Sequence, residues 1–326
     1  YGDHRDLHLS IRRQRQMCIR DRSNATLENC TFKGNTTGST GDGGAVDLNS
    51  STLVLTACSF VSNHSYFYGG AINSLNSHIT LNSSSFVANQ SLNSNGGGAI
   101  RLKGGSIVGS FNSFSTNKAT HEGGAILWED TSGSLSDSNF TSNQNLSWNG
   151  GGGIYFKNAS PTISRCSFTG NISNANNYGG AIHLNNASPT ISNCFFTSNA
   201  AASNSGGAIS IDSSSLPVLN GNEFRYNSAN DYGGAIYVSG GQNLKATNNL
   251  FLGNYSNSGG AVSAWGSASM TFTNCRFIGN EANASSGSSG GMAMLANGTT
   301  STSFVNCVIS GNKANYSCLL YTSPSP

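Results

Sequence analysis

The sequence predicts an all-β protein in which coils of similar length stack into a parallel solenoid. Two motifs alternate along the chain, apolar residues alternate as in a strand after one of them, and no helical periodicity intervenes. A unit of this size buries its apolar face only by stacking on its neighbours, and a fixed period is typical of such folds. We expect about 10–11 coils of roughly 27 residues.

The first motif is Phe-x-x-Asn. We expect its Phe side chains to stack from coil to coil in the interior. We expect its Asn to occupy a tight turn with left-handed φ and to hydrogen-bond the same Asn of the next coil. The motif begins at Phe32, Phe60, Phe86, Phe114, Phe140, Phe168, Phe196, Phe224, Phe251 and Phe277, with Ile309 as a last variant.

The second motif is Gly-Gly-Ala followed by Ile or Val. The pair fits a bend that leaves no space for a Cβ. Apolar residues then alternate, as at Ile126 and Trp128, which predicts a short strand with one buried face and places Trp128 in the core. Another apolar position, five residues before each Phe, indicates a second strand, and the Phe itself indicates a third. We therefore expect three short strands per coil. The motif begins at Gly43, Gly69, Gly97, Gly123, Gly151, Gly179, Gly206, Gly233 and Gly259, with a degenerate copy at Gly290.

The composition excludes several classes of protein. Only 9% of the 326 residues are charged and 36% are hydrophobic, which still allows a core. No run of about 18 apolar residues is present, so we expect no membrane-spanning helix. The chain has no basic stripe, which argues against nucleic-acid binding. It also has no metal-ligand spacing and no cofactor fingerprint, so we expect neither a metal nor a cofactor.

The two ends of the chain differ from the repeats. Residues 17–22 can be encoded by ATGTGTATAAGAGACAG, and the reverse complement of that string, read one base in, encodes residues 318–322. This inverted relation resembles a transposase end of DNA sequencing libraries. We expect residues 1–22 and 318–326 to be adapter-derived and non-native. Residues 23–317 then form the repeat domain, with a formal charge of −1 in place of +2 and with the solenoid truncated at both ends.

The cysteines of the repeat domain share one position, two residues before the Phe or its Ile309 substitute. They fall into pairs on consecutive coils, where stacked Cα atoms about 4.8 Å apart lie within disulfide range. Disulfides between coils, which an oxidising compartment would favour, and stacks of buried thiols both remain open. The residues are Cys30, Cys58, Cys166, Cys194, Cys275 and Cys307.

The alternation of the two motifs over nearly all of residues 23–317 resembles the passenger repeats of chlamydial-type polymorphic outer membrane proteins, a family of autotransporter adhesins. The resemblance implies a right-handed parallel β-helix of the pectin-lyase-like kind. It also implies a secreted or cell-surface location, in the outer membrane by this analogy. Because the acids and bases are not clustered, we expect a structural or adhesive, non-catalytic role, with a host or neighbouring cell surface, or a polysaccharide, as partner.

The alternative is a carbohydrate-active enzyme, because several β-helix families are polysaccharide lyases or hydrolases. Such chemistry needs clustered carboxylates and cations. The best candidates are Glu129, Lys157, His183 and Asp212, on the outward face of the strands that follow the Gly pairs. Glu129 and Asp212 are three coils apart, roughly 14 Å, which is too far for a carboxylate pair. We expect Glu129 and Lys157 to form a cross-strand charge pair instead.

The outward positions of those strands are expected to face solvent. Among them, Tyr155, Tyr237 and Trp265 are candidates for stacking on sugar rings. The first outward position is taken by Asp47, Asn73, Arg101, Leu127, Tyr155, His183, Ser210, Tyr237 and Ser263.

Overall fold

The computed structural model shows a parallel β-solenoid, as predicted. Every strand pairing in it is parallel, and each coil places its strands in three sheets that run along the stack. The structure describes residues 17–19, 24–39, 41–93, 96–174, 178–203, 205–212, 214–240, 242–283, 294–297, 301–315 and 320–322. The degenerate motif at Gly290 and most of residues 1–22 and 318–326 lie outside the described residues.

The first sheet, which we call the front sheet, receives both the strand after the Gly pair and the strand before the Cys position. In two coils these strands merge into one of 11 residues. The strands are Met17–Ile19, Asn24–Glu28, Val46–Asn49, Thr52–Thr56, Ile72–Asn82, Ile100–Ser110, Ile126–Glu129, Ser132–Ser136, Ile154–Lys157, Thr162–Ser164, Ile182–Asn185, Thr190–Ser192, Ile209–Asp212, Val218–Asn220, Ile236–Val238, Asn243–Thr247, Val262–Trp265, Ser269–Thr273, Met294–Asn297, Ser301–Val305 and Leu320–Thr322.

The second sheet, the Phe sheet, has eleven strands, of which ten are centred on the Phe of the first motif and the last on Ile309. They are Thr31–Lys33, Ser59–Val61, Ser85–Val87, Ser113–Ser115, Asn139–Thr141, Ser167–Thr169, Phe195–Thr197, Glu223–Arg225, Leu250–Leu252, Arg276–Ile278 and Val308–Ser310.

The third sheet was not predicted. Its inward residues are small, such as Ser65, Ala119 and Ser173, so no apolar alternation marks its strands in the sequence. Three strands per coil were expected, and most coils have four. The strands are His64–Ser65, Gln90–Ser91, Lys118–His121, Gln144–Trp148, Ile172–Ser173, Ala200–Ala201, Ser228–Ala229, Tyr255–Ser256, Glu281–Ala282 and Lys313–Ala314.

The Phe side chains stack along the interior, as predicted. Neighbouring rings from Phe32 to Phe277 lie 4.7 to 5.0 Å apart, nearly parallel. That spacing is the separation of paired strands, so one residue repeated once per coil suffices to build a continuous buried column. Trp128 is also fully buried, and its Nε1 donates to the carbonyl of Thr131.

The Asn residues of the first motif form a hydrogen-bonded column, which we call the Asn ladder. Asn143 Nδ2 donates to Asn171 Oδ1 (2.9 Å) and to the carbonyl of Phe114 (2.9 Å), and its backbone N–H donates to the same Oδ1 (3.0 Å). The ladder was predicted correctly, but the prediction that the Asn itself has a left-handed φ is wrong. The residue before the Asn adopts the left-handed conformation, as at Ser142 (φ 53°), which leaves the Asn side chain pointing inward.

The Gly pair allows coils to approach closely at the start of the front strands. Gly123 has a φ of +72°, and a Cβ on Gly124 would lie 2.0 Å from the carbonyl oxygen of Gly152 in the next coil. In this coil Gly123 therefore satisfies the turn, and Gly124 is required by contact between coils.

Candidate functional site

The candidate site lies on the outer face of the front sheet, where the predicted catalytic residues share a register. Tyr155 pairs with Leu127 and His183, while Lys157 pairs with Glu129. Lys157 also pairs with Asn185 on the next strand, and Asn185 pairs with Asp212 on the strand after that. Glu129 and Asp212 are therefore three rungs apart, as predicted.

The expectation that the first outward position faces solvent is wrong for most coils. Only 2% of Tyr155 and none of His183 is exposed. In several coils a tyrosine directly before a Gly pair packs over a first outward residue. Tyr68 covers Arg101, whose Cζ lies 3.8 Å from the ring centre, and the ring of Tyr178 lies 4.3 Å from that of His183.

This cover also removes two candidates for sugar stacking. Tyr155 is buried and Tyr237 is only 8% exposed, so neither ring can receive a sugar from solvent. Tyr232 lies 6.0 Å from the Tyr237 ring and covers it. Trp265 is 48% exposed, in agreement with its assignment as an outward aromatic residue. Its ring centre lies 6.2 Å from that of Tyr232.

Glu129 is the centre of a charged cluster. Its carboxylate lies 3.1 Å from Lys157 Nζ, 3.5 Å from Lys103 Nζ and 3.7 Å from Arg101 Nη2. The predicted pair of Glu129 and Lys157 is therefore confirmed, with two further cations. Only a tenth of the Glu129 side chain is exposed, so its charge is neutralised within the sheet.

Glu122 belongs to the same cluster and was missed by the sequence analysis. It lies in the turn before Gly123, where burial raises the pKa of its carboxyl, against the attraction of Lys157, and the Glu129 charge raises it further. Asp42, directly before Gly43, likewise has a raised pKa because of burial and the nearby Asp47. A carboxylate directly before a Gly pair was the available signal, but the position lies outside the alternating strands that the sequence pattern marks.

His183 and Asp212 form a second, separate cluster. His183 Nε2 lies 3.1 Å from Asp212 Oδ2, and the His183 ring is stacked on Tyr155 at 4.8 Å. Burial, followed by the Asp212 charge, raises the pKa of the Tyr178 hydroxyl. The four predicted catalytic residues thus divide into two internally paired clusters rather than one open site.

The pattern of stacked parallel coils matches a known family. A model described as a right-handed β-helix region matches residues 125–277 and 175–325, which together cover more than half of the chain. The chain belongs to the right-handed β-helix family. No curated protein gives a significant match to it.

Within this right-handed β-helix, the six cysteines of the repeat domain are in the thiol form in this structure. All are buried except Cys307, which is half-buried. Each Sγ donates to a carbonyl of the preceding coil or of its own turn, as Cys58 does to Leu27 (3.3 Å). Disulfides between coils stay a prediction.

Over its described residues the β-helix has no group of three or more His, Cys, Asp or Glu side chains placed to hold a metal ion. Nor does that part of the chain contain a helix long and apolar enough to cross a bilayer.

Proposed function

We propose that this β-helix is a secreted or cell-surface protein with a structural or adhesive role and no catalytic activity. The proposal rests mainly on one observation: the four residues best placed for catalysis are paired with one another. Glu129 and Lys157 are paired with each other, and so are His183 and Asp212. A polymer in solvent would meet Tyr178 before reaching His183, and catalysis requires groups that can contact the substrate.

The uniform interior supports a structural role. The Phe column and the Asn ladder continue through nearly every coil, so the β-helix resembles a stiff rod whose outer residues can vary freely. Display of side chains on such a rod suits recognition of an extended partner. A host or neighbouring cell surface, or a polysaccharide, is the proposed partner.

Trp265 and the adjoining Tyr232 are the aromatic side chains of the front face that we assign to contact with such a partner. Aromatic rings of this kind combine a large apolar area with a polar group, which is common in recognition surfaces. Trp265 ends the front strand Val262–Trp265, Tyr232 lies directly before Gly233, and the two ring centres are 6.2 Å apart.

A binding experiment tests the proposal. The purified chain is incubated with cells, pectin and alginate, and both retention and released oligosaccharides are measured. We expect retention without released products, and weaker retention for Trp265→Ala. Trp148→Ala is the matched control, because Trp148 is 64% exposed but belongs to the third sheet. Released products that disappear in His183→Ala or Asp212→Ala would overturn the proposal.

A carbohydrate-active enzyme is the second candidate function, and one observation favours it. Burial raises the pKa of the Glu122 carboxyl, and the Glu129 charge raises it further; two carboxyl groups whose surroundings separate their pKa values are the usual arrangement of a general acid and base. If this candidate is correct, Glu122→Gln and Glu129→Gln each abolish release of products from the polymers. Equal release from the variants and the parent chain would exclude this pair.

A further inference from the structure

The paired cysteines occupy a position that is hydrogen-bonded from coil to coil. In the other coils this position holds Ser84, Asn112, Ser138, Asn222 and Asn249. Asn222 shows the pattern: its Oδ1 accepts from the Cys194 N–H at 2.9 Å, and its Nδ2 donates to Asn249 Oδ1 at 3.0 Å. Small polar side chains thus satisfy the backbone at this turn.

Cysteine is the weaker choice for that hydrogen-bonding task. A thiol is a poor donor and a poor acceptor compared with an amide or a hydroxyl. The contact from the Cys166 N–H to Cys194 Sγ is 3.4 Å long, whereas the equivalent contact to Asn222 is 2.9 Å. Hydrogen bonding alone therefore does not explain why Cys fills this position on two consecutive coils three times.

Backbone pairing places the two members of each pair directly above one another. The residue after the upper cysteine donates its N–H to the carbonyl of the lower cysteine, from Ser59 to Cys30, from Phe195 to Cys166 and from Val308 to Cys275, at 2.8 to 2.9 Å. Adjacent parallel strands are about 4.8 Å apart, within the Cα range of disulfides. In the central pair the Cys166 backbone N–H contacts Cys194 Sγ at 3.4 Å. Hydrogen bonding between the two side chains holds the pKa of Cys166 below its usual value and that of Cys194 above it.

We propose that Cys30–Cys58, Cys166–Cys194 and Cys275–Cys307 are oxidisable pairs that form disulfides between consecutive coils. One thiolate attacks a small-molecule disulfide such as oxidised glutathione and releases one glutathione. The second thiolate then attacks the mixed disulfide and releases the other glutathione. Two thiols are oxidised and one glutathione disulfide is reduced to two glutathione thiols. Because the central pair is fully buried, the exchange takes place before those coils close.

The three bridges would lie near the first coil, in the middle and at the last described coils. Each closes a loop of one coil, and such a constraint stabilises the fold chiefly by restricting the unfolded chain.

Oxidative refolding tests the proposal. The reduced, denatured chain is refolded in reduced and oxidised glutathione, alkylated with N-ethylmaleimide in denaturant so that buried thiols also react, and digested, and linked peptides are identified by mass spectrometry. We expect the three named pairs and a melting temperature higher by about 5 °C or more than that of the protein refolded under reduction. Alkylatable thiols at all six positions of the folded product, or links between other cysteines, would overturn the proposal.

Two variants separate a bridge from a merely structural cysteine. In Cys194→Ser, whose hydroxyl replaces the thiol in the hydrogen-bonded column, we expect Cys166 to become alkylatable while the other two pairs still link. In the double variant Cys166→Ser, Cys194→Ser, the melting temperature should respond less to oxidation than in the parent chain. An unchanged response in the double variant would show that this pair forms no bridge.

Discussion

The interior of the β-helix and the outer face of its front sheet follow different rules, although the same strands build both. Inside, each Phe or Asn contacts a copy of itself in the next coil, at 4.7 to 5.0 Å for the rings. Outside, side chains meet different neighbours and, in several coils, a covering tyrosine, as His183 meets Tyr178. The environment of an interior position can be predicted from the repeat period alone. The environment of a position covered by a turn depends on the residues of the particular coil.

The largest effect is expected from breaking the Phe column. Phe140 is fully buried between Phe114 and Phe168, so Phe140→Ala should lower the free energy of unfolding by about 3–5 kcal/mol. Chemical denaturation measures it. Phe111→Ala is the matched control, since two thirds of Phe111 is exposed, and it should change the free energy by about 0.5 kcal/mol or less. Similar losses for the two variants would contradict the role of the column.

Interrupting the Asn ladder is expected to lower the free energy of unfolding by a smaller amount. Asn171→Ala removes the acceptor of the Asn143 N–H and the donor to the carbonyl of Phe140. Buried groups left without partners cost about 1–3 kcal/mol each, so we expect a loss of about 2–4 kcal/mol in thermal or chemical unfolding. The exposed Asn139→Ala serves as the control, and a neutral Asn171→Ala would show that water replaces the amide.

These two columns explain how far the sequence predicts the structure. The repeat period and the residue types of the motifs were sufficient to predict the parallel stack, the Phe column, the Asn ladder and the pairing of Glu129 with Lys157. The third sheet was missed, because Ser65 and Ala119 carry no apolar signal. The burial of Tyr155 was missed because it depends on the covering turn, which no local periodicity records. Glu122 was missed for the same reason.

The covering turns can be tested by removing one covering ring. Tyr178→Ala should expose His183 and lower the free energy of unfolding by about 1–2 kcal/mol, because a half-buried aromatic ring loses its contacts. The rate of His183 modification by diethyl pyrocarbonate should rise at the same time. Tyr226→Ala, which removes a largely exposed ring from another turn, provides the control. An unchanged modification rate would mean that other atoms shield His183.

The smallest effect concerns the pH dependence of the charged cluster. The pKa of Glu122 is raised in the folded protein, chiefly by burial, so the folded state holds a proton that the unfolded state releases at lower pH. Stability must therefore fall as the pH rises from the ordinary Glu range, about 4.3, to the higher folded value. Glu122→Gln should remove this decline and increase stability above that window by about 1 kcal/mol or less, measured by denaturation at a series of pH values. The exposed Glu28→Gln controls for the loss of one charge. If Glu122→Gln instead lowered stability at neutral pH, the attraction between Glu122 and Lys157 would outweigh the cost of burying the carboxylate, and the outer face would be stabilised by its charges as the interior is by its columns.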